Sequence, residues 1–290
     1  MNGILLIDKP EGWTSMDVCA KLRGVFHEKR IGHSGTLDPM ATGLLVVFLG
    51  RATRAVEFAE AHSKEYVARL RLGVTTDTQD TSGNVLSERE VNVSEEQLLE
   101  ALEHFKGEID QIPPMYSAIK IGGKKLYEIA RKGESVERKP RRITIHSLEF
   151  LGWEDGNALL RVRCSKGTYI RTLCHDIGEY LGCGGCMASL RRTAAGEFSI
   201  DAARSLEAVI AAKESGETEN LLLPVDSLFA EFSELRLNPK QERLFRNGVR
   251  FSMKAEAGTY RVYSEKGEFL ALAKLEEGIL ISIKTFFEVK

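Results

Sequence analysis

The chain has 290 residues, 43% hydrophobic and 28% charged, with a formal net charge of -2. That length buries a substantial core and suits one large domain plus a small one, while the near-neutral balance excludes a globally basic polyanion binder, so nucleic-acid contact would need local patches. Five cysteines, odd in number and without a secretion signal, argue against a disulfide framework; the longest later apolar run, Leu44 to Leu49, is far too short to span a bilayer, and the chain reads as soluble and cytosolic.

Ile4 to Ile7 reads as a strand, closed by the turn-like Asp8-Lys9-Pro10-Glu11-Gly12. Thr14 with Asp17 three residues on is a capping-box pattern, opening a helix predicted to run to about Phe26 with Val18, Leu22, Val25 and Phe26 on one face. A glycine-rich block, Gly32 to Gly43, follows as loop, and Leu44 to Leu49 is a buried strand. From Tyr66 the pattern alternates, with Tyr66, Ala68, Leu70 and Leu72 on one face and Arg69 and Arg71 on the other. Ser94 with Gln97 opens a second helix through Phe105, stopped by Gly107.

Residues of about 112–142 have little apolar periodicity and read as a projecting insertion. Between Met115 and Ile145 stand nine basic residues against three acidic ones. Such a run can be a solvated surface; the interleaved Tyr116, Tyr127 and glycines point toward RNA contact. Strands resume from Ile143 to Phe150 and from Leu159 to Cys164. Ser165-Lys166-Gly167-Thr168 then turns the chain into a helix with Ile170, Leu173, Ile177 and Leu181 inward and Arg171 in its first turn. Without regular βαβ alternation, this predicts an α+β domain built on a mixed, mainly antiparallel sheet with flanking helices. Beyond Pro224-Val225-Asp226 the short strands at Thr259 to Tyr263, Phe269 to Leu275 and Ile279 to Ile283 predict a small β-barrel, with the domains divided as 1–231 and 232–290.

Neither a GxxxxGK[ST] phosphate loop nor an HExxH zinc helix is present. Cys183-Gly184-Gly185-Cys186 is a single CxxC, which reads as a tight glycine turn with buried thiols rather than as a metal site. The Gly32 to Gly43 block differs in kind, because its glycines permit close backbone approach and Pro39 restricts Asp38 to extended conformations. Taken alone, the Asp-Pro pair reads either as a turn device or as a carboxylate held on a stiff loop.

Five blocks carry a resemblance. They are GHSGTLDPMATG at 32–43, Lys64-Glu65-Tyr66 with Leu72 to Thr78, IPPMYSAIKIGGKKLYEIARKG at 112–133, Ser165 to Thr172, and Leu190-Arg191-Arg192. In this order they resemble the bacterial tRNA pseudouridine-55 synthase (TruB-type) family over nearly the whole chain. The resemblance implies an enzyme that flips uridine 55 out of the tRNA T-loop, breaks its N1–C1′ bond and rejoins the base through C5. It implies Asp38 as the essential aspartate, attacking C1′ or removing the C2′ proton. The resemblance implies that Arg171 pairs with it through its guanidinium. Tyr66 stacks on the target base and assists at C5; His33 holds the RNA loop open. Tyr169 and Leu190 line the uracil pocket, with Lys9 and Lys64 also binding substrate.

In the insertion, Lys120, Lys124, Lys125, Arg131, Arg141 and Arg142 are expected to grip the T-loop and stem phosphates. The C-terminal barrel is expected to be PUA-like and to reach the acceptor stem. The resemblance implies no cofactor, no metal and no obligatory protein partner, and a monomer suffices. A guide-RNA-dependent relative shares the catalytic blocks, but the long basic insertion and modest length favour the stand-alone type. A fold-only RNA chaperone is disfavoured because Asp38, Tyr66 and Arg171 are all present.

Overall fold

A computed structural model describes residues 1–287. In chain order the elements begin with β1 (Gly3–Lys9), α1 (Ser15–Phe26), β2 (Ile31–His33), β3 (Thr42–Leu49), α2 (Val56–Ala61), β4 (Lys64–Leu72), β5 (Val74–Thr76) and β6 (Val85–Glu88). They continue with α3 (Glu95–His104), β7 (Gly107–Gln111), β8 (Lys120–Ile121), β9 (Lys124–Lys125), α4 (Leu126–Ala130), β10 (Arg141–Glu154), β11 (Asn157–Cys164), α5 (Ile170–Tyr180) and β12 (Gly185–Ala195). The chain closes through β13 (Phe198–Ser199), β14 (Arg204–Ser205), α6 (Leu206–Glu214), β15 (Ser233–Arg236), α7 (Pro239–Arg246), β16 (Gly258–Tyr263), β17 (Phe269–Glu276) and β18 (Ile279–Thr285).

One 10-stranded sheet dominates, in the order β14-β1-β3-β12-β4-β11-β10-β7, with β13 added on β12 and β2 on β3. Among the described residues, only β1–β14 and β3–β12 pair in parallel within this sheet, so it is mixed and mainly antiparallel as the sequence implies. The alternation of β4 comes from burial of Tyr66, Ala68, Leu70 and Leu72 in one apolar cluster with Leu173 and Ile177 of α5. The capping boxes at Thr14 with Asp17 and at Ser94 with Gln97 form as the sequence predicts, each satisfying backbone donors at its helix start.

The detail that places the site is a fork in this sheet. On one side β3 pairs with β1 from Gly43 to Leu49. On the other, β12 pairs only with Thr42 and Gly43, while β2 pairs with Val47, Phe48 and Leu49. The connecting residues 34–41 therefore leave the sheet between β2 and β12. The close approach at the fork requires Gly43: with φ +97°, a Cβ there would stand 2.3 Å from the backbone oxygen of Arg192.

Three features depart from the sequence reading. Strand β12, central in the sheet, carries no alternating apolar signal, because register shifts at Met187/Ser189 and Arg192/Ala194 break the alternation and Arg192 takes one of its buried positions. The insertion, for which the sequence assigns no elements, carries a short hairpin of β8 and β9 that leads into α4. Most clearly, the C-terminal strands do not close a barrel. Among the described residues they form an open four-stranded sheet, β15-β16-β17-β18, because β15 pairs in parallel with β16 and not with β18. That sheet packs onto the large one through Phe229, Leu272 and Phe286, which share an apolar cluster with Ile4, Leu44 and Phe48. All five cysteines are buried and unpaired, and no group of residues suited to a metal ion occurs among the described residues.

Candidate active site

The 34–41 loop is held from both ends. Leu37 and Ala41 are buried in the cluster that contains Tyr66, so the residues flanking Asp38 are plugged into the core. Ser15, at the start of α1, accepts from the Leu37 backbone N–H at 2.8 Å and donates to its carbonyl at 3.2 Å. The Gly12 N–H donates to the Pro39 carbonyl at 2.8 Å, and the Ala41 N–H to that of Asp38 at 3.0 Å. Between these anchors the Asp38 side chain is 39% exposed at the wall of a cleft of about 1330 Å³. A stiff backbone thus presents one carboxylate to an open space.

Arg171 meets it from the first turn of α5. That turn is fixed by Gln111 of β7, whose side-chain amide accepts from the Tyr169 N–H at 2.8 Å and donates to the Tyr169 carbonyl at 3.1 Å. Arg171 is buried to 6% exposure, and its Nε lies 2.9 Å from Asp38 Oδ2 and 3.6 Å from Asp80 Oδ2. Its Nη1 and Nη2 donate to the carbonyls of Thr78 at 3.0 Å and Tyr116 at 2.9 Å. With every face of the fork engaged, the guanidinium has one orientation. Asp80 is itself fixed, its Oδ1 accepting from Thr78 Oγ1 at 2.8 Å and from the Ser82 N–H at 3.0 Å.

Tyr66, Tyr169 and Leu190 line the same cleft, as do Lys64, Arg131, Arg141 and Arg142. Burial pushes the hydroxyls of Tyr66 and Tyr169 above the ordinary tyrosine value, so both stay protonated donors. Lys64 donates to the carbonyls of Glu60 at 2.7 Å and His62 at 2.6 Å, and burial brings its ammonium down to about 8.

Two residues expected at the substrate are not among those that line the cleft. Lys9 is fully buried, and its Nζ gathers the carbonyls of Pro10 at 2.8 Å, Trp13 at 2.6 Å and Pro39 at 3.4 Å. It therefore braces the Asp38 loop; burial lowers its ammonium to about 8, opposed by the Asp38 charge. His33, on β2, is mostly buried and lowered first by burial and then by the Arg192 charge, with Nδ1 free of partners among the described residues. Lys120, Lys124 and Lys125 sit on the β8–β9 hairpin and do not line the cleft. Lys125 reaches it only through Tyr127, donating to the phenol oxygen at 3.1 Å, while Arg131 stacks 5.3 Å from the same ring.

Sequence reasoning passed over Asp80 and gave Arg192 no role. Asp80 sits in a Thr/Asp/Ser/Gly stretch that reads as an ordinary turn. For Arg192 the available signal was two adjacent arginines, which in any strand must face opposite sides, so one of them enters the sheet's covered face.

Residues 23–170 match the family model described as TruB family pseudouridylate synthase (N terminal domain), and 171–230 match that described as tRNA pseudouridylate synthase B C-terminal domain. Curated relatives named tRNA pseudouridine synthase B include that of Clostridium kluyveri, 40% identical over 297 residues, covering 99% of this chain and 100% of the relative. The one from Ralstonia nicotianae is 45% identical over 291 residues, covering 97% and 92%. Among solved structures, a chain of a Cbf5-Nop10-Gar1 complex is similar at 27% identity and a TM-score of 0.75, covering 98% of this chain and 85% of that one. A chain of an H/ACA RNP bound to a substrate RNA containing 2′-deoxyuridine is similar at 25% identity and a TM-score of 0.74, covering 99% and 85%.

Proposed function

The chain belongs to the TruB family of pseudouridylate synthases, and on that premise we propose that it isomerises uridine 55 in the T-loop of tRNAs to pseudouridine, with Asp38 as the reacting carboxylate. The observation that carries the reading is the Asp38–Arg171 pair at 2.9 Å on the wall of a cleft that Tyr66, Tyr169 and Leu190 also line. A base extruded from an RNA loop needs aromatic and apolar surfaces to receive it, and those residues supply them.

The isomerisation balances within the nucleoside. The C1′–N1 bond breaks with its electron pair leaving on the base, the base turns, C5 bonds to C1′, the C5 proton departs and N1 gains one. No redox equivalent is exchanged, and no cofactor is needed. On the sugar side a carboxylate either captures C1′ as a nucleophile or takes the C2′ proton; Arg171 holding Oδ2 orients it for both. Arg131, Arg141 and Arg142, on the cleft wall, contact the phosphates of the T-loop and stem, with the rest of the 112–142 insertion behind them. The C-terminal sheet is a PUA-like module of about residues 232–290 that reaches the acceptor stem.

The enzyme acts in the cytoplasm as a monomer. The structural neighbours come from H/ACA and Cbf5 complexes, which favours a second reading as a guide-dependent enzyme. The full-length relatives named tRNA pseudouridine synthase B, at 40% and 45% identity, favour the stand-alone form. Incubating the purified chain alone with unmodified tRNA tritiated at uracil C5 separates the two. Release of one tritium per tRNA into water supports stand-alone action, and no release without added proteins and guide RNA contradicts it.

A further inference from the structure

Arg192 is 1% exposed, yet among the described residues it has no carboxylate within ion-pairing distance. Its Nε donates to the Leu44 carbonyl at 2.6 Å and its Nη2 to the Gly35 carbonyl at 3.1 Å. Two neutral acceptors fix its position but leave its charge uncompensated, a rare state for a buried arginine. The cations nearby aggravate this: the charge of Arg192 lowers Lys9, Lys64 and His33 alike. Asp38 and Asp80, the carboxylates in the centre, are committed to Arg171. Arg192 also lines the cleft and lies directly opposite Tyr66 in the β12–β4 register, with its guanidinium near that phenol.

A buried, unpaired cation at the floor of a reaction cleft calls for an anion that exists only during the reaction. We propose that Arg192 is a catalytic residue whose guanidinium stabilises the uracil anion formed when the glycosidic bond breaks. The inference rests on the function proposed above. When C1′–N1 cleaves, its electron pair goes to the base, and the negative charge spreads over N1, O2 and O4. Arg192 holds that charge while the base turns, and the charge is discharged when C5 bonds to C1′ and the proton lost from C5 is balanced by the one gained at N1. Tyr66 can carry both proton movements, giving its hydroxyl proton to N1 and taking the one from C5. A fixed guanidinium in a covered site needs no reorganisation at that moment, which makes such stabilisation large.

The test compares leaving groups under single turnover. Glycosidic cleavage is followed by rapid quench with tRNA carrying uridine or 5-fluorouridine at the target position, fluorine making the detached base a weaker base. Wild type and Arg192→Gln are compared, with folding checked by circular dichroism and tRNA affinity by filter binding. Loss of this donor should slow cleavage of uridine about 100-fold or more. The loss should be at least several-fold smaller with 5-fluorouridine, whose anion needs less help. Arg192→Lys, which keeps the charge but not the fork, should fall between. If the Gln variant does not fold, Lys carries the comparison: a loss on uridine exceeding that on 5-fluorouridine supports the role. Equal losses on both substrates in a folded variant would overturn it, since a displaced loop slows both alike. Inactive wild type would instead sink the proposed function itself.

Discussion

Asp80 Oδ2 stands 3.6 Å from the Nε of Arg171, the same nitrogen that lies 2.9 Å from Asp38, so one guanidinium edge serves two carboxylates. Asp80 is buried and Asp38 is not, which makes Asp80 the fixed post and Asp38 the working group. Asp80→Asn keeps the shape and removes the charge. Its kcat should fall about 10- to 100-fold with KM and tRNA affinity nearly unchanged, the pattern of lost positioning rather than lost binding. Steady-state kinetics with filter binding checks this, and a rise in KM at constant kcat would count against it.

Gly43→Ala should be disproportionately harmful for so small a change. The added Cβ would meet the Arg192 backbone oxygen at 2.3 Å in a residue with φ +97°. Strain and clash together should cost about 2–4 kcal/mol and displace the Asp38 loop. Urea unfolding measures the loss; a variant within 0.5 kcal/mol of wild type, in the sense of roughly no effect, would mean the fork is looser than described.

Arg141 lines the cleft in company with Arg142. Arg141→Gln should weaken tRNA binding without changing the rate at saturation. It should also reduce the slope of log affinity against log salt by about 1, the mark of one phosphate contact removed. An unchanged slope would remove Arg141 from the phosphate grip.

Asp176, on α5, is raised from 3.8 to about 6, chiefly by burial. Between those values the folded state binds more protons than the unfolded one, so this group's contribution to stability falls as pH rises from 4 to 6. Asp176→Asn mimics the protonated form. It should match wild type below pH 4 and exceed it above pH 6, by on the order of 1 kcal/mol after solvent screening. Unfolding midpoints across pH 4 to 7 decide it, and a variant less stable at pH 7 would contradict the burial account.

What was legible in the sequence was whatever local rules govern. The capping box at Thr14, the alternation through Tyr66 and the 3.6-residue face of α5 each follow from nearest neighbours in the chain. Arg171 could be placed in the first turn of α5 for that reason. Strand β12 could not be read, because its sequence GCMASLRRTAA owes its place to distant partners on β3 and β4, such as Leu72 opposite Gly185 and Thr42 opposite Arg191. The same non-locality hid Asp80, whose partner Arg171 is 91 positions on, and it turned Lys9 from an expected ligand into a brace for the Pro39 carbonyl. Strand texture alone also could not tell an open four-stranded sheet from a closed barrel, since closure depends on which edges meet.

Asp38 is the reacting carboxylate of this account, and tRNA binding rests on other residues of the cleft. Asp38→Asn keeps the size of the side chain and the loop that Leu37 and Ala41 anchor. The most direct test of that role is single-turnover release of tritium from uracil C5 of tRNA, measured beside tRNA affinity on the same preparation. Release should fall below detection while affinity stays within about threefold of wild type. Release at the wild-type rate from a folded Asp38→Asn variant would contradict the assignment.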